Sequence, residues 1–261
     1  MKQLFLSSYQ FGDGLTHLSI LKYHKEQTGH DLYFFCQNDF LKQAAKLAPF
    51  LTLVESFPPD IDQVFKFHFD ANNKEGLSLS RAFARQTLGY DRDFLPWFNT
   101  DFLKTYDSSD RLRGKYVCLC PCSGMKFGKK EWSLKNWQTI SNELVTSGYR
   151  VISLRSSLDN PYPLENVKEI ADHSLIQVAS ILKEAKSVIT VDCGLKYLSC
   201  AIGHKYVVEL FAENAFEGVK KQIEWSSLKA FERKKDSIIR RNIEDIKPKD
   251  VLDRLKLHKI L

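Results

Sequence analysis

The chain has 261 residues, of which 43% are hydrophobic and 12% aromatic, so it is long enough for one large or two medium domains and too apolar for overall disorder. Its formal net charge is +6, and its apolar runs are far shorter than the roughly 20 residues that span a bilayer. The start, Met1-Lys2-Gln3-Leu4-Phe5, lacks the form of a secretory signal. The expectation is therefore a cytoplasmic protein, with room left for a peripheral place on the inner face of the membrane.

In chain order, residues 4–7 form the first predicted strand. The segment Phe11-Gly12-Asp13-Gly14-Leu15-Thr16-His17 follows, and apolar residues at helical spacing predict a helix over 15–27. A Gly-Asp-Gly turn between strand and helix places Asp13 at the carboxyl edge of a sheet, where open α/β folds bind ligands. Gly12 and Gly14 are expected to let the backbone turn tightly and to leave room for a ligand. Taken by itself, the stretch reads more readily with Asp13 as a helix cap. His17, one turn further on, reads either as a residue that orients Asp13 or touches a ligand, or as a structural histidine. Strands over 31–36, 51–55 and 64–69 and helices over 39–47 and 79–88 complete the first half. Asn38 or Asp39 is the expected cap of the second helix. Strands separated by helices imply parallel βαβ units.

The polar stretch 105–113, followed by Gly114, is the best linker candidate. The alternation then restarts. Strands are expected over 115–120, 149–154, 187–191 and 206–211, and helices over 134–147, 175–185 and 195–202. The tail from residue 218 is expected to be mostly helical, with Pro248 leading a last helix over 250–257. The predicted organisation is a domain over 1–106, a linker over 107–114 and a second domain over 115–261. Both domains are doubly wound and α/β, and they are expected to face a cleft.

Three features carry chemistry. Residues 121–133, PCSGMKFGKKEWS, form a loop between a strand and a helix, with a hydroxyl at Ser123 and lysines at 126, 129 and 130. Backbone donors at a helix start with point charges are the parts of a phosphate cradle. The Gly-Lys-Ser/Thr ending of a Walker loop is missing, and a basic loop with Ser133 as an ordinary cap is the alternative. Asp192-Cys193-Gly194 repeats the strand–turn–helix arrangement of Asp13, with Gly194 letting the helix start approach a phosphate. Cys118, Cys120 and Cys122 alternate, which puts them on one face of a strand as small buried thiols. They lack metal-ligand spacing.

Gly12-Asp13, then Pro121 with Lys130-Glu131-Trp132-Ser133, then Asp192-Cys193-Gly194-Leu195-Lys196-Tyr197 through Gly203, in that order, resemble glycosyltransferase family nine, the bacterial ADP-heptose:lipopolysaccharide heptosyltransferases. Members carry a Gly-Asp turn, an HPG…KRWP loop and a D-S/T-G-x-x-H-L-A-A-A-L-G segment. The resemblance implies a GT-B-like fold of two Rossmann-like domains. It implies inverting transfer of a sugar, heptose from ADP-heptose foremost, from a nucleotide-diphospho-sugar to a lipopolysaccharide core or other glycan, without metal or resident cofactor. Asp13 matches the base that takes the acceptor proton, with Gly12, Gly14 and His17 on the acceptor side. Lys130 matches the lysine at the donor diphosphate. Lys129 and Ser123 lie in the same loop, and Asp192, Cys193 and Gly194 match the turn around the donor.

Tyr197 stands where the family has His, Cys193 where it has Ser or Thr, and Glu213 falls in the segment that usually reads LFGPT. These departures motivate the alternative of a non-catalytic nucleotide-sugar-binding accessory protein. Basic clusters at Lys220-Lys221, Arg233-Lys234-Lys235 and Arg240-Arg241 suit an anionic membrane surface. No aromatic-basic stripe accompanies them, so no nucleic-acid partner is expected.

Overall fold

The computed structural model describes residues 1–68, 77–105, 115–123, 130–155, 163–212 and 238–261. The expected linker over 107–114, Lys129, Glu213 and the basic clusters at 220–221 and 233–235 lie outside the described residues. Those that are described fall into two compact units, divided between Thr100 and Asp101.

The first unit holds strands β1 (Lys2–Ser7), β2 (Asp31–Cys36), β3 (Thr52–Leu53) and β4 (Gln63–Lys66), with helices α1 (Phe11–Thr28), α2 (Asp39–Lys46) and α3 (Leu79–Leu88). All strands are parallel, in the order β3-β2-β1-β4. The Asn38 and Ser78 side chains accept from backbone amides of the first turns of α2 and α3. Gly29 and Gly89 close α1 and α3 in the left-handed conformation that a helix end favours. Leu4, Phe5, Leu15, Leu18, Leu21, Phe34 and Phe83 form the core between sheet and helices.

Here the structure corrects the expected turn. Phe11-Gly12-Asp13-Gly14 is the first turn of α1, which begins four residues earlier than the spacing suggests. Its cap position is Gln10, so Asp13 is not the cap. Gly14 serves packing rather than a turn. A Cβ on Gly14 would lie 2.3 Å from Leu41 Cδ2, so its absence lets α1 approach α2.

The second unit holds strands β5 (Tyr116–Cys120), β6 (Arg150–Leu154), β7 (Lys168–Ile170), β8 (Ser187–Val191), β9 (Val207–Ala212) and β10 (Ile238–Arg241). Its helices are α4 (Asp101–Thr105), α5 (Leu134–Thr146), α6 (Leu175–Glu184), α7 (Gly194–Ala201) and α8 (Pro248–Leu257). The sheet is parallel throughout, in the order β10-β9-β8-β5-β6-β7. Counted from its own first strand this is the doubly wound order 3-2-1-4-5-6. Every residue of β5 and β8 is buried, as central parallel strands covered on both faces require. The tail is not all helical, because β10 extends the sheet beside β9. The short strand β7 on the opposite edge was also not expected.

Both sheets place their central strands so that successive connections leave in opposite directions. In the first unit that switch lies between β1 and β4, and in the second between β5 and β8. The segment carrying Asp13 follows β1. Residues 121–130 follow β5, and Asp192-Cys193-Gly194 follow β8. Each candidate segment therefore leaves the carboxyl end of a strand at a topological switch point, the place where such sheets bind ligands.

Candidate active site

In the first unit, Asp13 is the third residue of α1 and is half-buried. A carboxylate in a first helical turn is favoured by the aligned backbone dipoles. His17 is fully buried. Its Nδ1 lies 3.0 Å from Ser7 Oγ, and its ring stacks on Phe67 at 4.0 Å and meets Phe83 edge-on at 4.4 Å. Burial lowers its pKa to about 3, so the ring is neutral. A ring enclosed in this way does not touch a sugar, and the structural reading of His17 is the one the packing supports.

In the second unit two of the expected donor residues, Lys130 and Asp192, meet. The Lys130 ammonium donates to Asp192 Oδ2 at 2.8 Å, joining the end of the basic loop to the turn after β8. Lys130 is held at its place by the next residues. Trp132 is buried, packs edge-on against Trp137 and donates from Nε1 to the Ile246 carbonyl at 2.8 Å. Ser133 then caps α5 by accepting from the Asn136 amide. The Trp in the motif is thus an anchor that fixes where the preceding lysine starts.

Two further residues belong to this cluster and were not singled out from the sequence. Lys196, on α7 one turn after Asp192, donates to Asp192 Oδ1 at 2.5 Å and to Glu209 Oε1 of β9 at 2.9 Å. It is only 1% exposed. Removing an ammonium from water costs several kcal/mol unless it is paired, and here two carboxylates pair it. Burial alone would raise the Asp192 pKa, but the ammonium groups of Lys196 and Lys130 overcome it and hold the carboxyl well below the usual carboxylate range. Burial raises the Glu209 pKa, and Lys196 offsets only part of that. The Lys196 pKa is raised well above its ordinary value: burial opposes this, and Asp192 and Glu209 outweigh it. The signal in the sequence was the spacing of Asp192 and Lys196, four residues apart on a helical segment. A charged residue inside the otherwise apolar run VVELFA was the other.

Cys193 occupies the cap position of α7 without a side-chain capping bond and lies 3.3 Å from Thr190 Oγ1. It is buried, and burial raises its pKa, so it is a neutral thiol where the family motif has a hydroxyl. Gly194 is the first residue of α7 and is half-buried. Ser123 is half-buried three residues after β5. Tyr197 is buried, and the Lys196 ammonium sits 4.4 Å from its ring centroid. Cys118 and Cys120 are fully buried in β5, and burial raises both thiols.

The second unit thus offers two buried ammonium groups, Lys130 and Lys196, with the half-buried carboxylate of Asp192 at the end of β8 and the buried carboxylate of Glu209 in β9. One of those cations, Lys130, belongs to the segment leading into a helix. By exchanging Asp192 for a phosphate oxygen, Lys130 can stabilise charge on a diphosphate leaving group, and the first unit offers a carboxylate at a helix start that can take a proton.

The family model of glycosyltransferase family 9 (heptosyltransferase) matches residues 67–216, more than half of the chain. Among solved structures, the ADP-heptose LPS heptosyltransferase II of E. coli is similar at 15% identity with a TM-score of 0.73, covering 99% of this chain and 98% of that one. The E. coli heptosyltransferase WaaC with ADP is similar at 14% identity and a TM-score of 0.68, covering 99% and 100%. A glycosyl transferase of family 9 from Veillonella parvula is similar at 11% identity and a TM-score of 0.69, covering 98% and 96%. At these identities the structures share the α/β fold with parallel sheets. No curated protein sequence matches the chain.

Proposed function

The chain belongs to glycosyltransferase family 9, and from that premise we propose that it moves a heptose from ADP-heptose to a hydroxyl of a lipopolysaccharide core or related glycan. The observation that carries this reading is the Lys130–Asp192 pair at the switch point of the second unit. It supports the reading because the pair lies at the exits of β5 and β8, the kind of switch point where such sheets bind ligands.

The chemistry follows from the charges. The acceptor oxygen attacks the anomeric carbon from the side opposite the diphosphate, the glycosidic bond to ADP breaks, and the configuration inverts. Asp13 takes the proton of the attacking hydroxyl as that oxygen loses electron density. Negative charge grows on the departing diphosphate, and Lys130 is the group that stabilises it. To do so it must exchange its bond to Asp192 for one to a phosphate oxygen. Lys196 stays behind and keeps Asp192 ionised. In this reading the positive charge at the leaving group comes from side chains, and no metal ion takes part. The exposed Arg240 suits an acceptor that carries phosphates at an anionic surface.

The test is direct. Purified protein is incubated with ADP-heptose and a heptose-deficient lipopolysaccharide core, and ADP release and acceptor mass are followed. The expected result is a gain of one heptose per acceptor with one ADP released. ADP-heptose bound but neither transferred nor hydrolysed would instead favour a binding protein.

A further inference from the structure

The carboxyl edge of the first sheet carries a ring that the packing of its helices does not bury. Phe40 is the second residue of α2 and is 37% exposed, while Leu41, Ala44 and Ala45 supply the buried face of that helix. Its ring meets that of Phe11, the first residue of α1, with centroids 5.9 Å apart and planes inclined by 50°. Phe11 is buried, so the exposed ring rests on a covered one. Two contacts fix the pair. Asn38 caps α2 by accepting from the Leu41 amide at 3.0 Å, and the missing Cβ of Gly14 admits the Leu41 side chain against the first turn of α1. Phe40 lies between those two anchors in the chain. The turn of α1 that carries Phe11 also carries Asp13. The strands that lead into the two helices, β1 and β2, are neighbours in the sheet. The aromatic pair and the carboxylate therefore share one edge. Gln10, before α1, and Gln37, after β2, are exposed there as well.

We propose that Phe40, backed by Phe11, stacks on a sugar ring of the acceptor while the attacking hydroxyl of that acceptor meets Asp13. A sugar ring carries hydroxyls around its rim and C–H groups on its face. The C–H face leaves water when it lies against an aromatic ring. The rim hydroxyls can both donate to and accept from amides such as those of Gln10 and Gln37. A ring already held by a cap and a wedge loses little conformational freedom on binding. The inference rests on the reading of the chain as a transferase acting on a glycan. It names what the first unit recognises in that glycan, the apolar face of a sugar ring, and the residue that recognises it.

Phe40 is exposed, so its replacement is expected to keep the native circular dichroism and a cooperative melt. Initial rates of transfer from ADP-heptose to the heptose-deficient lipopolysaccharide core are measured against acceptor concentration for wild type, Phe40→Ala, Phe40→Leu and Phe40→Trp. ADP affinity is measured on the same proteins by calorimetry. Phe40→Ala and Phe40→Leu are expected to raise the acceptor KM about tenfold, the scale of one lost aromatic contact, with kcat and ADP affinity within about twofold of wild type. Phe40→Trp keeps a flat ring and is expected to hold the acceptor KM within about threefold. An unchanged acceptor KM in Phe40→Ala, or Phe40→Leu protein as good as wild type, would overturn the stacking role while leaving the transfer reaction standing. Phe40→Trp protein as poor as Phe40→Ala, or an equal loss of ADP affinity in Phe40→Ala, would do the same. Wild-type protein that transfers no heptose would overturn the function reading and this inference with it.

Discussion

Lys130 and Asp192 stand 62 residues apart in the chain and meet at 2.8 Å. The pair ties the exit of β5 to the exit of β8. Asp192 has a second partner as well, since its Oδ1 also accepts from Lys196. The pair is the hinge between stability and chemistry in this unit.

Stability is the first consequence. Asp192 is the counter-charge of two buried ammonium groups. Asp192→Asn leaves both without full compensation and is expected to cost about 3–5 kcal/mol, the range for breaking a buried ion pair. Urea and thermal unfolding of wild type and variant check it. Lys130→Met, at the outer end of the line, is expected to cost less than Asp192→Asn.

A second consequence concerns pH. His17 is neutral in the folded protein because burial lowers its pKa from 6.5 to about 3. The unfolded chain binds a proton at pH values where the folded chain does not. Stability is therefore full above pH 6.5 and falls as the pH drops from there toward 3. The slope from this one group is up to about 1.4 kcal/mol per pH unit. His24 and His204, also lowered by burial, act in the same sense. His17→Leu is expected to flatten the acid limb of the stability curve between pH 6 and 4, measured by urea unfolding at a series of pH values.

Packing at α1 gives a third. A Cβ on Gly14 would sit 2.3–2.9 Å from three atoms of Leu41, a fully buried side chain that would have to shift. Gly14→Ala is expected to destabilise by about 1–3 kcal/mol through overpacking, despite the better helix propensity of alanine. Leu41→Ala in the same chain is expected to relieve part of that strain, so the two changes together cost less than the sum of their separate effects.

A fourth concerns the leaving group. If side chains supply the positive charge at the diphosphate, turnover in EDTA is expected to stay within twofold of turnover without it. Loss of activity in EDTA, restored by a divalent cation, would assign that role to a metal instead.

Much of the fold was legible because the central strands are apolar throughout. The run SVITV predicts β8 at its full length, and the aromatic run DLYFFC predicts β2. The strands that were missed are at sheet edges, and the short helix α4 was missed as well. KEI (β7) and IIRR (β10) carry charged residues because an edge strand has one side in water. The Gly-Asp-Gly segment misled for another reason. Glycine in a sequence usually marks a turn, but at position 14 a neighbouring leucine, distant in sequence, decides it. In the site, Lys130 and Asp192 were legible as separate motifs, whereas their contact was not. Lys196 and Glu209 stayed hidden because a single charge within an apolar run gives no sign of its partner until α7 and β9 are packed together.

The transfer mechanism turns on the carboxylate of Asp13. Asp13→Asn removes the carboxylate from the first turn of α1 while keeping nearly the same shape. In the ADP-heptose transfer assay, turnover is expected to fall by at least a hundredfold, with ADP affinity measured by calorimetry unchanged within twofold. A variant that transfers heptose at the wild-type rate would contradict the assignment of Asp13 as the base and the transfer mechanism built on it.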